Sequence, residues 1–334
     1  MFKTSLKTTL RIAAFALIGA AGLALANPAA AKTTLRIGWT TADSEVDPYA
    51  IAARYFAEEL EKELPGKFDV RFFPNHQLGN DTEMLQAMQF GTLEAGVITG
   101  TLVATVEPSF QLNDLPFLYR DNAHAHRVLD GEVGQALFAN LAKKKVIGLG
   151  FAEAGFRHVI NNVRPIHTPD DIARMRLRVQ PSDLFLASFR AIGANPVPLA
   201  WSDAFTAVQQ GTVDGLEIPL AVIYANKYPE VTKYLSLTNH SYNALPLLLS
   251  ERFYSRLSAD EQAKVRKAAA NAIKRQRETV AANEADILEK IKAAGMQVNA
   301  VENLAAFREK AMPVYERARG TIGSDLIDKA LSVE

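Results

Sequence analysis

The 334-residue chain contains no cysteine and carries no net charge, with 37 Lys and Arg residues against 37 Asp and Glu residues. Without cysteine, neither a disulfide framework nor a cysteine nucleophile is possible, so stability has to come from a hydrophobic core. The sequence also lacks long runs of like charge, which argues against a nucleic-acid-binding surface and a charged tail. Low-complexity linkers are missing too, which predicts lobes joined by crossing strands.

Common enzyme motifs are absent as well. The sequence contains neither the Gly-x-Ser-x-Gly turn of serine hydrolases nor the His-Glu-x-x-His helix of zinc proteases. His124 and His126, near Asp121 and Glu132, have the residue types of a metal site. At positions i and i+2 of a helix, however, their rings diverge, so we interpret them as part of a solvated helix face. These observations favour a protein that is not an enzyme and uses no metal or cofactor.

Residues 1–31 have the pattern of an export signal. A start with three basic residues precedes the apolar run Ile12–Leu25, which is short for a membrane span, and Ala29, Ala30 and Ala31 form a small-residue cleavage site. We predict cleavage after Ala31 and a mature periplasmic protein. Removal of the three basic residues leaves 34 basic against 37 acidic residues, a formal charge of about −3. The mature length of about 300 residues suffices for two domains.

The segment Met175–Pro219 has the clearest secondary-structure pattern. Short strands alternate with helices in the order β-α-β-α-β, which predicts a parallel sheet whose ligands bind beyond the carboxyl ends of the strands. Arg178 lies at the end of the first of these strands. The later elements are predicted at Ser182–Ile192 (helix), Asn195–Leu199 (strand), Ser202–Gln210 (helix) and Val213–Ile218 (strand).

A weak internal repeat predicts a second unit of the same kind. Leu85–Ile98 matches Phe205–Ile218, with a helix end, a Gly-Thr turn and an acidic residue before a strand. Gly91 and Gly211 end the two helices, where glycine tolerates the left-handed conformation. The alternative is that such turns simply look alike, and either explanation leaves two α/β units.

The rest of the chain is predicted to be α/β as well. Asn80 caps a helix with Glu83 as its capping-box partner. The other predicted elements are strands at Thr34–Trp39, Phe68–Phe73, Leu93–Ile98, Val146–Phe151, Arg157–Asn161, Leu245–Leu249 and Met296–Val301, and a helix at Pro48–Leu64.

Ala259–Ala294 contains no proline or glycine and predicts one helix about 54 Å long. A coiled-coil arm is the alternative, but the apolar positions keep no clean heptad. We therefore predict a helix that lies across both lobes and bends as they close.

Five segments together resemble a known family, in their order and spacing along the mature chain. They are His76–Asp81 (HQLGND), Leu115–Asp121 (LPFLYRD), Gly155–Asn162 (GFRHVINN), Arg176–Gln180 (RLRVQ) and Pro196–Pro219. The resemblance is to the DctP-like solute-binding proteins of tripartite ATP-independent periplasmic (TRAP) transporters. It implies a two-lobed α/β periplasmic binding protein fold, with crossing strands and a long helix spanning both lobes.

The resemblance also implies a function and a division of the chain. A monomeric receptor would close on a small organic acid and deliver it to a permease of one small and one large membrane subunit, with no nucleic acid involved. A receptor that feeds a membrane signalling protein is the alternative. After the signal peptide at 1–31, we place the first lobe at 32–155 and 244–283, and the second at 156–243 and 284–334.

Two arginines are the leading ligand-binding candidates. A guanidinium offers a planar pair of donors that matches a carboxylate, and the family resemblance gives this role to Arg178. The alternative for Arg178 is a surface ion pair, for which Arg174 and Arg176 are better placed. Arg157 matches a second arginine that helps to hold the ligand in many relatives. Its alternative is a salt bridge in the hinge region.

Further site candidates occupy loops that would face the cleft. Trp201 matches an aromatic pocket residue of the family. Ile218 stands where many relatives have a hydrogen-bonding asparagine, and Thr99 where sialic-acid-binding relatives often have an acidic residue. The other candidates are Thr41, Asp81, Tyr242 and Leu245.

These departures predict a comparatively apolar pocket beyond the carboxylate. They favour a small monocarboxylate with an aliphatic or aromatic tail over a sugar acid. A C4-dicarboxylate, with Arg157 holding the second carboxylate, is the alternative.

Overall fold

A computed structural model describes residues 32–334. The predicted signal peptide, with its cleavage site after Ala31, lies outside these residues. No helix in the described part of the chain combines the length and apolar character that a membrane crossing needs. The strands are β1 (Thr33–Gly38), β2 (Phe68–Phe73), β3 (Ala95–Val97), β4 (Val146–Asn161), β5 (Arg176–Val179), β6 (Asn195–Pro198), β7 (Gly215–Pro219), β8 (Tyr234–Ser250) and β9 (Gln297–Ala300).

The nine strands form one sheet. Helices pack against this sheet and form the C-terminal segment. The helices are α1 (Pro48–Glu63), α2 (Asp81–Phe90), α3 (Gly100–Val103), α4 (Asn122–Asp130), α5 (Glu132–Ala142), α6 (Pro169–Ile172), α7 (Asp183–Ala191), α8 (Trp201–Gln209), α9 (Leu220–Ala225), α10 (Glu251–Tyr254), α11 (Ala259–Ala293), α12 (Leu304–Ala311), α13 (Pro313–Ile322) and α14 (Ser324–Ser332). Short 3-10 helices lie at Pro108–Asp114 and Tyr228–Glu230.

Two β-α-β-α-β units have the same topology. In the first unit, β1 to β3, the strand order is β2-β1-β3, and in the second unit, β5 to β7, it is β6-β5-β7. All four strand pairs within the units are parallel. Gly91 and Gly211 adopt φ values of 75° and 69°, the left-handed conformation that ends the helices of the repeat. The predicted parallel unit and its repeat are therefore confirmed.

The two long strands β4 and β8 connect the units. They pair antiparallel with each other, while β3 joins one end of β8 and β7 joins the opposite end of β4. Val146–Phe151 and Arg157–Asn161, predicted as separate strands, are the two ends of β4. The register in which these two ends pair with β8 shifts at a bulge between Glu153 and Gly155, where Gly155 has a φ of 90°. The backbone therefore changes direction at this point without leaving the sheet.

The long helix α11 lies across both ends of the β4–β8 pair. Its N-cap Ser258 forms a capping box with Glu261, and the helix packs against α1, β4 and α9. At its middle, the fully buried Gln276 accepts from the Glu153 N–H at 3.1 Å and donates to the carbonyls of Glu153 at 2.6 Å and Pro48 at 3.2 Å. The predicted helix is thus fastened to the bulge.

The C-terminal helices contact both parts of the molecule. Phe307 of α12 belongs to an apolar cluster with β5 and α7 of the second unit. Tyr315 of α13 and Ile327 of α14 instead belong to a cluster with α2 and α5. Helix α13 also packs against α7 of the second unit, so the predicted placement of residues 284–334 in the second lobe stays a prediction.

Candidate ligand-binding site

A cavity lies between the carboxyl ends of the strands of the two units. It encloses about 170 Å³. The carboxyl ends of parallel strands are where α/β sheets bind ligands, because loops and helix N-termini converge there. The cavity is lined by Thr40, Thr41, Tyr49, Asn80, Asp81, Thr82, Thr99, Leu102, Thr105, Arg157, Arg178, Gln180, Pro181, Ala200, Trp201, Ile218, Pro219, Val222 and Asn243.

Arg178 brings a buried positive charge to this cavity. It is 3% exposed, and its Nε donates to the Leu199 carbonyl at 3.0 Å. Within residues 32–334, no carboxylate lies close enough to Arg178 to form a salt bridge. Burial lowers the pKa of Arg178, because removal from water disfavours the charged form of the guanidinium. An anion bound here would compensate that charge.

Arg157 also lines the cavity but is already paired. Its guanidinium contacts both carboxylate oxygens of Glu217, with Nη2 at 2.8 Å from Oε1, and Nη2 also donates to the Glu217 carbonyl at 2.6 Å. Burial would raise the pKa of Glu217, but the charge of Arg157 and the hydrogen bond from His240 lower it on balance. The alternative predicted for Arg157, a salt bridge, is therefore present, and its predicted contact with the ligand stays a prediction.

The second unit contributes an apolar wall next to the arginines. Trp201 lies with its ring 5.7 Å from the Arg178 guanidinium carbon, and Ile218 stands beside Pro219 at the end of β7. Trp201 was predicted in the loop before an N-cap at Ser202, but α8 begins at Trp201 itself, with Ala200 as the N-cap. Both residues line the cavity as predicted, without supplying a hydrogen bond to Arg178.

The first unit contributes a polar wall opposite. The Tyr49 hydroxyl lies 2.8 Å from the Thr99 hydroxyl, and the Asn243 amide donates to Tyr49 at 3.3 Å. Asp81 accepts from the Thr99 N–H at 2.9 Å, and burial raises the pKa of Asp81. This wall adds polar groups to a pocket that was predicted to be comparatively apolar, with a small monocarboxylate favoured over a sugar acid.

Hydrogen bonds join the two sides around the cavity. Thr41 donates to Asp47 at 2.7 Å, and Asp47 accepts from Asn226 beyond α9 at 3.4 Å. On the other side, the Ser182 hydroxyl donates to Asp114 at 2.8 Å. Burial raises the pKa of each of these two carboxyl groups to about 7.

Two predicted site residues lie elsewhere. Tyr242 is buried in a core with Tyr119 and Phe156, and its hydroxyl donates to Glu153. Leu245 pairs with Ala152 inside the sheet and is fully buried. The sequence placed both near the first lobe but could not show which face of β8 meets the cavity.

The predicted solvated face at the two histidines is wrong. His124 is 1% exposed and accepts from the Arg120 N–H at 3.1 Å, whereas His126 contacts Glu153 at 2.5 Å. Each ring therefore has a protein partner, although His126 is partly exposed. Among residues 32–334, no group of three or more His, Cys, Asp or Glu side chains could hold a metal ion.

The cavity residues that the sequence interpretation did not single out include Tyr49, Gln180 and Asn243. Gln180 lies 3.4 Å from the Thr101 hydroxyl, and in the amide orientation that suits Arg157 its oxygen accepts from Nη1 and Nη2 at 3.2 Å. Its position directly after the strand of Arg178 could have identified it as a cavity residue from the sequence. Tyr49 and Asn243 carry no such signal, since Tyr49 lies in the first turn of α1 and Asn243 lies within β8.

Comparisons with known proteins agree with this geometry. The profile of the family described as DctP, bacterial extracellular solute-binding protein, family 7, matches residues 40–321. The 2,3-diketo-L-gulonate-binding periplasmic protein YiaO of Escherichia coli is 34% identical over 86% of this chain and 88% of its own.

Solved structures give the same result. A TRAP periplasmic solute-binding protein from a Polaromonas species, bound to D-erythronate, superposes with a TM-score of 0.88 at 34% identity, covering 91% of this chain and 99% of the other. Another from Sulfurospirillum deleyianum, with bound succinate, gives 0.85 at 34% identity over 91% and 99%. The similarity therefore extends over both units and the connecting strands.

Proposed function

Because the chain belongs to the bacterial extracellular solute-binding protein family 7, the DctP family, we propose that it captures an organic acid for a TRAP transporter. The cavity closes on the acid, and the closed receptor delivers it to a permease of one small and one large membrane subunit. The family is one of receptors, and the cavity contains ligand-recognition groups of the kind an acid needs. Export to the periplasm, with residues 1–31 removed after Ala31, belongs to the same proposal.

The free guanidinium of Arg178 is the observation that carries the proposal. A buried cation without a carboxylate partner is costly, and a ligand carboxylate would satisfy it with two parallel hydrogen bonds. Trp201 packs over the same guanidinium and would keep water from it. Arg178 therefore anchors the acid group.

Arg157 has a different role in this proposal. Its charge is balanced by Glu217, so it orients the second-unit wall beside the anchor and does not hold a second carboxylate by itself. This favours an acid with one carboxylate as the ligand. D-Erythronate, bound by a relative of similar structure, is such an acid.

The moving parts follow the predicted lobes, hinged where β4 and β8 cross. The bulge between Glu153 and Gly155 is a point of flexibility, and the hydrogen bonds of Gln276 with Glu153 fasten α11 at the same position.

Calorimetric titration with D-erythronate, on wild type and variants, tests the anchor. Arg178→Ala should lose about 2 to 5 kcal/mol of binding free energy, and Arg178→Lys should recover part of it, because lysine keeps the charge without the planar pair of donors. Arg176→Ala is the matched control: this neighbour on β5 is exposed and pairs with Asp214. Unchanged affinity in a folded Arg178→Ala protein would refute the proposal.

A further inference from the structure

The Arg157 guanidinium is held in one orientation by its neighbours. Its Nε and Nη2 contact the two carboxylate oxygens of Glu217, and Nη2 also donates to the Glu217 carbonyl at 2.6 Å. The guanidinium carbon lies over the Phe185 ring, 5.5 Å from the ring centre. The remaining nitrogen, Nη1, takes no part in these contacts with Glu217 and is directed at another side chain.

That side chain is Gln180. One end of the Gln180 amide lies 3.2 Å from both Nη1 and Nη2 of Arg157, and the Thr101 hydroxyl lies 3.4 Å from the same end. Guanidinium nitrogens can only donate, so the amide oxygen has to occupy this end. The amide nitrogen, which can only donate, therefore lies at the other end, away from Arg157. Arg157 thus determines the direction in which Gln180 presents its N–H donors.

Gln180 lies in the cavity beside the proposed anchor Arg178. Leu177 and Val179 are buried in an apolar cluster with α7, whereas Arg178 and Gln180 line the cavity. Side chains alternate between the two faces of a strand, so Arg178 and Gln180 extend from the same face at the carboxyl end of β5. Gln180 is 5% exposed, so bulk water offers its donors few partners.

Resting on the proposed function, we propose that Gln180 donates its amide N–H to the acid group anchored at Arg178, and that Arg157 is the positioning residue that orients this amide. Two carboxylate oxygens accept about four hydrogen bonds, so the pair from Arg178 leaves lone pairs for Gln180. The ion pair of Arg157 with Glu217 then contributes to binding through Gln180.

Two substitutions of Gln180 separate its donor from its acceptor. Gln180→Glu keeps an oxygen for Arg157 and loses the N–H donors, whereas Gln180→Met keeps the length of the side chain and loses both without adding charge. Calorimetric titration with D-erythronate should show binding weaker by roughly tenfold or more in each variant. Thermal unfolding checks that each variant is folded.

Gln209→Glu is the matched control for added charge. Gln209 is an exposed residue of α8 in the same unit and is not among the residues that line the cavity, so this variant should bind like wild type. A folded Gln180→Met protein with wild-type affinity would overturn the inference. A loss confined to Gln180→Glu would do the same, since it would be an effect of charge alone.

Arg157→Lys tests the positioning role. Lysine keeps the positive charge beside Glu217 but lacks the planar nitrogens that reach Glu217 and Gln180 together. It should weaken binding of D-erythronate in an otherwise wild-type protein and much less in the Gln180→Met background, where the residue it acts through is gone. Equal effects in both backgrounds would show that Arg157 does not act through Gln180. If Arg157→Lys does not fold, Glu217→Gln, which removes the charge that holds the guanidinium, takes its place in this comparison.

Failure of the proposed function gives a different result. If Arg178→Ala binds D-erythronate like wild type, the carboxylate anchor itself is wrong. If Arg178→Ala weakens binding and Gln180→Met does not, the anchor holds and the role of Gln180 alone is wrong.

Discussion

Arg157 and Glu217 form a buried ion pair across the β4–β7 strand pair, next to an arginine that has no such partner. Arg157 is 3% exposed and Glu217 fully buried, and their contacts include both carboxylate oxygens. Arg178, equally buried, bonds to a backbone carbonyl instead. Two arginines in one cavity wall therefore differ in their charge balance, and in the proposed function the one without a carboxylate partner anchors the ligand.

This difference predicts opposite effects on stability. Arg157→Ala leaves Glu217 buried without its cation and should lower the free energy of unfolding by about 3 to 5 kcal/mol. Arg178→Ala removes an uncompensated charge and should leave the ligand-free stability unchanged or raised. Urea unfolding of the ligand-free proteins makes the comparison. A larger loss in Arg178→Ala than in Arg157→Ala would contradict the assignment of the two roles.

The fold was predictable to the extent that periodicity and helix caps are local signals. The capping box of Asn80 and Glu83, and the glycine at the end of each repeated helix, lie within a few residues of the structure they determine. The bulge that turns two predicted strands into β4 was not predictable, since it depends on pairing with the distant β8.

The candidate site was predictable where strand ends face the cavity. Arg178, Arg157 and Ile218 lie at or near such ends, and they line the cavity. Tyr242 and Leu245 were misplaced because β8 is buried on both faces. Apolar and polar residues therefore do not alternate along it in a way that shows which face meets the cavity. The charge balance of Arg157 also depends on a residue 60 positions away.

A pH dependence is predicted from Asp114. Burial raises its folded pKa to about 7, while Ser182, Thr101 and the charge of Arg157 oppose that shift and Glu217 adds to it. The unfolded carboxyl has an ordinary pKa near 4. Between these values the folded state binds more protons, so this group's contribution to stability falls as pH rises from about 4 through 7.

Asp114→Asn isolates that contribution, because asparagine resembles the protonated form. The free energy of unfolding of the variant minus that of wild type should be larger at pH 8 than at pH 5, as measured by urea unfolding at both pH values. Asp325→Asn, an exposed substitution on α14, is the control. A difference between Asp114→Asn and wild type that is the same at both pH values would exclude the effect.

Gln276 should be the main fastening of the long helix. Its buried side chain satisfies three backbone groups, the N–H and carbonyl of Glu153 in β4 and the carbonyl of Pro48 in α1. Gln276→Leu would leave those groups without partners and should cost about 2 kcal/mol or more of unfolding free energy. Glu278→Gln, on the exposed face two residues away, should change little. Equal stability of the two variants would show that α11 is held by apolar packing alone.

Closure should depend on contacts between the two sides of the cavity. Asn226 contacts the Ala42 N–H at 3.1 Å and Asp47 at 3.4 Å, both near the start of the first unit. We expect a smaller radius of gyration by X-ray scattering when D-erythronate saturates the protein. Asn226→Ala should weaken binding by about 1 kcal/mol, because these contacts hold the two sides of the cavity together.

Asn195→Ala is the control for closure, because this asparagine donates to Arg174 within the second unit. It should leave both affinity and scattering as in wild type. A scattering profile that does not change with saturating ligand would indicate a rigid cavity.

Trp201 should report ligand binding by fluorescence. The chain has two tryptophans, Trp39 and Trp201. Trp39 is fully buried, with its indole N–H directed at the Ala42 carbonyl, whereas Trp201 lies over the Arg178 guanidinium in the cavity. A carboxylate arriving at Arg178 changes the charge beside the Trp201 ring, so its emission should shift on titration with D-erythronate.

Single-tryptophan variants separate the two signals. Trp39→Phe leaves Trp201 as the emitter and should retain the titration signal, with the same dissociation constant that calorimetry gives. Trp201→Phe leaves Trp39 and should lose most of the signal, because no cavity residue then emits. Adding Arg178→Ala to the Trp39→Phe background should abolish the shift at the same ligand concentrations. A full signal from Trp39 alone would mean that the emission follows closure of the whole molecule, and that the ligand carboxylate does not bind beside Trp201.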